Sequence, residues 1–402
     1  MRKSSAIRYS AVRARAVMPL ASEQPAKRMD ELSRPLAILD DGLILSRDNT
    51  ILAVESYKDY CRRPDALPPN HIRDLGDVLL TPGLVNCHTH LEISHMAGKT
   101  VPGKGFFEWV ASLVALDRNP PSPPLIEQAL SNAVASLAAC GTAAVGDIAS
   151  RIPRTVLRQT VSHGIASRIF CEVIGHEDAA LTNAMHTAQE DTAFSLAGHA
   201  LYTTPGKLVA RAHQWSAAQG RPFSLHLAEH EDETRCLRDG SGKLHDLLRE
   251  RVIPADWPTP GLPPVQLAAS FGLLSPGTLA VHCVQCNQDD IAALATGHTA
   301  VCLCPRSNAY IAVGEAPARA LAEAGVLLCL GTDSLASNTD LDVWKEAEYF
   351  LEKGILPAKA LLRMATVNGA RILGLSDHVG RLEKGLRFCY KTFPSEMVSL
   401  FR

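Results

Sequence analysis

No apolar run in this chain approaches the ~18 residues that a membrane-spanning helix needs. Nor is there a surplus of either charge. Forty Lys and Arg against 42 Asp and Glu leave a net charge of −2, which removes the electrostatic ground for binding nucleic acid or an anionic membrane. There is no internal repeat and no low-complexity tract. No second C-x-x-C lies at knuckle spacing from His282-Cys283-x-x-Cys286, so that segment is a poor zinc knuckle. The first 22 residues hold Arg2, Lys3, Arg8, Arg13 and Arg15 and no acid, the charge pattern of a targeting segment. They lack its clean apolar centre, because Arg13 and Arg15 interrupt it. Alternation over Arg8–Val17 instead predicts a first β-strand.

What is present is ample core material. Apolar residues make up 46% of the 402 residues, enough for a large domain and a small companion. The eleven cysteines fall mostly in apolar strand contexts, such as Cys171, Cys302, Cys304 and Cys329. That pattern suits buried, reduced thiols in a cytoplasmic protein.

The most informative pair is His88 and His90. The apolar run Val78–Val85 leads into them and reads as a buried strand. Residues two apart on a strand share a face, so both rings can reach one point. Two convergent neutral imidazoles begin a divalent metal site. Three later segments repeat the design of an apolar strand ending in a metal-competent residue: Phe223–Glu229 with His226, Thr278–Cys283 with His282, and Gly325–Ser334 with Asp333. A polar group after a buried run needs partners, and a shared cation would serve all four segments.

Between these points strand and helix alternate, as in a parallel barrel. Strand 1 is expected to end near His90 and strand 2 to cover Thr142–Asp147, after a helix over Leu125–Ala139. Strand 3 is expected over Ser167–Ile174 and strand 4 over Ala197–Tyr202. Strands 5 and 6 should end at His226 and His282. Strand 7 should run over Ala300–Cys304 and strand 8 should end at Asp333. Helices are expected over Asp340–Glu352 and Ala358–Ile372. The proline-rich segment 254–264 reads as a loop. Near the N-terminus, Leu36–Leu39, Leu43–Leu45 and Ile51–Val54 read as short strands around an Asp40-Asp41-Gly42 turn. Residues 379–393 read as their returning partners.

The segments Pro82-Gly83-Leu84-Val85-Asn86-x-His88-Thr89-His90-Leu91 and Leu330-Gly331-Thr332-Asp333-Ser334 resemble the amidohydrolase superfamily over nearly the whole chain. The resemblance implies an α/β fold: a (β/α)8 TIM barrel over residues 78–375, with a small composite β-sandwich from residues 1–77 and 376–402. It implies His88, His90, His226 and Asp333 as ligands of one divalent metal, zinc first, with iron or manganese suited to the same donors. Relatives with two metals place a bridging lysine at strand 4. Lys207 lies beyond that strand here, so a mononuclear site is expected.

Glu229, three residues after His226, resembles the deaminase branch of the superfamily. There the Glu takes a proton from the attacking water and passes it to a ring nitrogen of the substrate. Glu229, His282 and Asp333 are then the catalytic set, with His282 orienting the water. Alternatively Glu229 is one more first-turn acid beside Glu231, Asp232 and Glu233. Glu92, Glu108, His199, Ser307 and Asn308 are candidate substrate contacts. A core histidine, a solvated acid and turn residues are the competing readings of His199, Glu108 and the Ser-Asn pair. Local segments around His88–Ser94, Gly105–Trp109 and Gly331–Asn338 look like the deaminases of 6-amino-6-deoxyfutalosine, an adenine nucleoside with an aromatic carboxylate on its 5′ side. Arg154, Arg168 and Arg306 are candidates for holding that carboxylate. Other expected substrates are S-adenosylhomocysteine, methylthioadenosine and adenosine, then guanine or a triazine. A non-catalytic nucleoside-binding barrel is the non-enzyme alternative. The expected partner is a small-molecule nucleoside, with a homodimer left open.

Overall fold

The computed structural model describes residues 9–21, 23–251, 253–254 and 257–402. Arg2, Lys3 and Arg8 lie outside the described residues, as do positions 255 and 256 of the proline-rich loop.

Short apolar strands form one parallel sheet in chain order: β6 (Leu84–Thr89), β7 (Thr142–Ala149), β8 (Ala166–Val173), β9 (Phe194–Gly198), β10 (Phe223–Leu227), β11 (Thr278–His282), β12 (Ala300–Leu303) and β13 (Leu328–Leu330). Nearly every residue in these strands is buried, because helices cover the outer face and the barrel interior fills the inner one. The helix Pro123–Ala139 shows how the cover is made. It carries proline in its first turn, and it buries Leu130, Ala133, Val134 and Leu137, the spacing of one helical stripe. Truncating Leu137 to alanine there should cost ~2–5 kcal/mol.

The ring closes through side chains as well as backbone. Asn86 on β6 donates to Thr332 Oγ1 at 2.7 Å and accepts from Thr332 N–H at 3.1 Å. Asp333 N–H donates to the His88 carbonyl at 2.9 Å. Gly331 permits this approach: a Cβ there would lie 2.7 Å from His88 Cβ and 2.9 Å from His88 N.

A second, mixed sheet joins the two chain ends. Its order is β14 (Tyr390–Pro394), β5 (Val78–Pro82), β1 (Tyr9–Val17), β2 (Leu39–Arg47), β3 (Thr50–Ser56), with β4 (Ile72–Asp74) also beside β1. Several expectations are corrected here. The apolar run at 78–85 is two strands: Val78–Pro82 bonds to β1 and β14, and only Leu84 onward enters the barrel. The expected barrel start at residue 78 therefore falls on the terminal sheet. Asp40-Asp41-Gly42 is not a turn but part of β2, in register with β1. A Cβ on Gly42 would meet Val17 at 2.5 Å, so the glycine serves close strand contact. The hairpin turn is Asp48-Asn49, both with positive φ, as a tight two-residue connection requires. Residues 379–385 form no strand, and only β14 returns. In the barrel, β9 begins three residues and ends four residues earlier than expected, and β13 stops before Asp333.

Among the described residues no helix is long and apolar enough to cross a membrane.

Candidate active site

The strand ends deliver the expected polar residues to one mouth. Nε2 of His90 lies 3.2 Å from Nε2 of His88 and 3.3 Å from Nε2 of His226. Oδ1 of Asp333 lies 3.6 and 3.5 Å from the same nitrogens of His88 and His90. The ligand atoms of His88, His90 and His226 all fall within 4.8 Å of one another. These residues come from β6, β10 and the loop after β13, so sequence distance hides their proximity.

The group fits a divalent cation. Nδ1 of His226 is 2.8 Å from the His199 carbonyl, which can only accept, so Nδ1 carries the proton and Nε2 presents a lone pair inward. Burial pushes His226 down to about 3 and holds His90 well below the usual range, so both rings are neutral. The His226 lone pair and the Asp333 carboxylate, with the His88 and His90 rings beside them, make a donor set that suits a cation. Burial alone would raise Asp333, yet its contact with His88, with the His90 and His282 rings close by, holds it well below the carboxylate range. Ser307 and Ser337 each donate to its Oδ2 at 2.7 Å, which leaves Oδ1 facing the histidines. Lys207, expected not to bridge a second metal, is exposed on the helix Gly206–Ala218.

The backbone is strained at this mouth. Ala228, His282, Cys283 and Asp333 all have positive φ, from 49° to 76°. Such conformations cost ~1–3 kcal/mol each in non-glycine residues and cluster at functional sites. Of the four, His282 and Asp333 face the opening.

Glu229 is not a helix first-turn acid, because the helix begins at Glu231. Its carboxylate lies 3.7 Å from His282 Nε2 and is buried. Burial pushes Glu229 well above its ordinary range, and the nearby charges of Asp333 and Glu233 add to this. Glu233 reaches back to accept from Glu229 N–H at 2.7 Å and Ala228 N–H at 3.1 Å, which fixes the turn that aims Glu229. In sequence Glu233 is one of three consecutive acids, and nothing there distinguishes it from Glu231 and Asp232. His282, pushed down to about 4 by burial, is neutral. Its Nδ1 lies 3.0 Å from Asn308 Oδ1, so Asn308 orients the ring and Ser307 orients Asp333. Both residues act on the cluster rather than lining the cavity.

The cluster floors a cavity of about 310 Å³. His199 lines it, with Nδ1 2.7 Å from Thr203 Oγ1, and sits just past β9 rather than inside it. Glu92 also borders the cavity, but Ser150 N–H and Oγ–H and the N–H groups of Arg151 and Ile152 fill its carboxylate. That leaves no acceptor for a sugar. Glu108 is exposed on the helix Phe106–Asp117 and does not line the cavity; Phe106, Trp109, Val110 and Leu113 of that helix do. Arg154 pairs with Glu190 outside, Arg168 bonds the Leu373 and Thr192 carbonyls, and Arg306 pairs with Asp340. None of the three reaches the cavity. Arg151, held by Asp117 at 2.6 Å, does. Glu172 at the end of β8 also faces it. An acid inside Ile169-Phe170-Cys171-Glu172-Val173 is the signal that could have found it. Leu244, Leu247 and Leu248 add an apolar wall.

A parallel barrel with H-x-H, two further strand-end histidines and an Asp around one point defines a metal-dependent barrel hydrolase. The amidohydrolase family profile matches residues 79–392, and the chain belongs to that family. It is similar to a 5-methylthioadenosine/S-adenosylhomocysteine deaminase of Nitratidesulfovibrio vulgaris, 29% identical over 372 residues, 87% of this chain and 78% of the relative. It is also similar to an aminodeoxyfutalosine deaminase of Deinococcus radiodurans, 29% identical over 344 residues, 80% and 79% of the two chains. Among solved structures, Helicobacter pylori aminofutalosine deaminase aligns with TM-score 0.81 at 19% identity, covering 98% of this chain and 95% of that one. A zinc-bound adenosine deaminase of Xanthomonas campestris aligns with TM-score 0.77 at 24% identity, covering 96% and 84%. At these identities the structural likeness is one of fold.

Proposed function

We propose that this chain hydrolyses the 6-amino group of adenine nucleosides, with 6-amino-6-deoxyfutalosine the leading substrate, in the cytoplasm. The observation that carries the reading is the buried Glu229 carboxylate, 3.7 Å from His282 and beside the His88–His90–His226–Asp333 cluster, opening onto one cavity. His88, His90, His226 and Asp333 would hold one divalent ion, zinc first, with iron or manganese suited to the same donors. When bound, that ion supplies Lewis acidity and lowers the pKa of a water.

The chain's own residues do the rest. Glu229 takes a proton from the attacking water and hands it to the ring nitrogen next to C6. His282, held neutral, orients that water through Nε2. The water oxygen bonds to C6, the C–N bond breaks, and ammonia leaves with a proton relayed by Asp333 or Glu229. A carboxylate that both takes and gives a proton works best with its pKa near the working pH, which burial of Glu229 favours. The apolar wall from Trp109, Leu113 and Leu247, with Arg151 at the rim, suits a 5′ group that is apolar and ends in a carboxylate.

The similarity to methylthioadenosine and S-adenosylhomocysteine deaminases favours those nucleosides as the second reading. Purified protein incubated with a panel of adenine nucleosides tests the proposal through loss of the adenine chromophore. Turnover should be found and should be greatest with the futalosine derivative. No turnover of any nucleoside refutes the function. Glu229→Gln should lose several orders of magnitude in kcat while keeping its metal.

A further inference from the structure

Seven barrel strands contribute to the cavity, and they divide its rim into two halves. The metal cluster, Glu229 and His282 come from β6, β10, β11 and the loop after β13. The facing half comes from the ends of β7, β8 and β9 and presents Ser150, Arg151, Glu172, His199 and Thr203. With C6 at the cluster, a nucleoside posed across the cavity reaches that second half with its sugar.

The carboxylates on this rim are not equivalent. Glu92 is filled by four donors from residues 150–152. Asp333 is held by Ser307 and Ser337. Glu229 faces His282. Glu172 differs: its Oε1 is out of contact with solvent and has no hydrogen-bond partner among the described residues. Leaving a buried acceptor unmade is costly, so a ligand donor would be favourable there. A carboxylate oxygen of Glu172 and a ring nitrogen of His199 also lie within 4.8 Å of a His226 nitrogen. That trio is not a second metal site, since Nε2 of His226 faces His90 and Nδ1 bonds the His199 carbonyl.

We infer that Glu172 accepts a hydrogen bond from a ribose hydroxyl of the nucleoside, and so selects ribonucleosides over deoxyribonucleosides. The inference rests on the proposed nucleoside deamination. The donors of an adenine nucleoside are its amine, which is at the metal cluster, and its sugar hydroxyls. A hydroxyl pairs with a carboxyl in either protonation state, as donor or as acceptor.

The test crosses substrate with residue. Adenosine, 2′-deoxyadenosine and 3′-deoxyadenosine are compared on wild type, Glu172→Ala and Glu172→Gln, with 7-deazaadenosine as a ring control. Wild type should prefer adenosine over one deoxy analogue by at least ~10-fold in kcat/KM, the scale of leaving a buried polar group of the site without its partner. Glu172→Ala should lose activity on adenosine, mostly in KM, and erase that preference. Glu172→Gln keeps an acceptor oxygen and should keep part of it, which separates lost recognition from lost folding. A preference that survives in Glu172→Ala overturns the inference alone. So does a wild type indifferent to both deoxy analogues, or a Glu172→Ala effect that disappears with 7-deazaadenosine, which keeps the sugar hydroxyls and lacks N7. No turnover of any nucleoside by wild type overturns the deaminase reading and this inference with it.

Discussion

Glu233→Gln isolates how the base is aimed. In the native turn Glu233 Oε2 accepts from Glu229 N–H at 2.7 Å and Oε1 from Ala228 N–H at 3.1 Å. The amide keeps one acceptor and sets an N–H2 donor against the other N–H. One charge-assisted bond is lost, worth ~1.5–3 kcal/mol in a buried setting. The turn it holds is strained, with Ala228 at φ 52°. That strain is itself on the order of 1–3 kcal/mol, so losing the bond leaves it unopposed. Glu229 would then leave its position beside His282, and a shift of about 1 Å at a reacting group costs ~100-fold. We expect kcat to fall ~10–100-fold, with KM changed by no more than about 3-fold because the cavity walls are untouched. Steady-state deamination gives both parameters, and elemental analysis should show unchanged metal content. Glu231→Gln, exposed and paired with Arg235 on the same helix, is the control and should change nothing. Wild-type kcat in Glu233→Gln refutes the reasoning, and metal loss that matches the activity loss refutes it equally.

Three further outcomes are expected. Gly331→Ala would put a Cβ 2.7 Å from His88 Cβ, so it should lower stability by ~1–3 kcal/mol and weaken metal retention; a normal Tm with full metal content would contradict the closure geometry. In metal-stripped protein the imidazoles of His199, His226 and His282 should each stay neutral as pH falls from 6.5 to 5. Burial holds His199 and His282 at about 4 and His226 at about 3, so the contribution of these three groups to stability rises with pH in that window. The buried carboxyls Glu172, Glu233 and Glu346, raised to about 8, 7 and 8, act in the opposite direction, so the readout is the imidazole NMR shift of each ring, and protonation of all three by pH 5 would contradict it. Asn308→Ala frees the His282 ring and should lower kcat ~10-fold without metal loss, read by the same assays; an unchanged kcat removes Asn308 from that role.

The metal cluster was legible because strand-end histidines follow apolar runs, a pattern that needs no knowledge of which strands touch. What was not legible depended on contacts across the fold. Glu92 looked free for a sugar until the turn at 150–152, some 58 to 60 residues away, was seen to fill it. Glu108 follows Phe106 in sequence, yet helical rotation sends it outward while Phe106 faces in, stacked on His230 at 3.5 Å between ring centroids. The run at 78–85 looked continuous because strand propensity is blind to a change of sheet at Gly83. Asp40-Asp41-Gly42 had turn composition, but Arg13 bonds Asp41 across the β1–β2 pair, and tertiary pairing overrides local preference.

The most direct test is metal content measured against activity in the purified chain and in a His88→Ala, His90→Ala double variant. The wild-type chain should hold close to one divalent ion, and the variant should lose both the ion and deamination. A wild-type chain that deaminates nucleosides without any bound metal, or a variant that holds its ion undiminished, would contradict it.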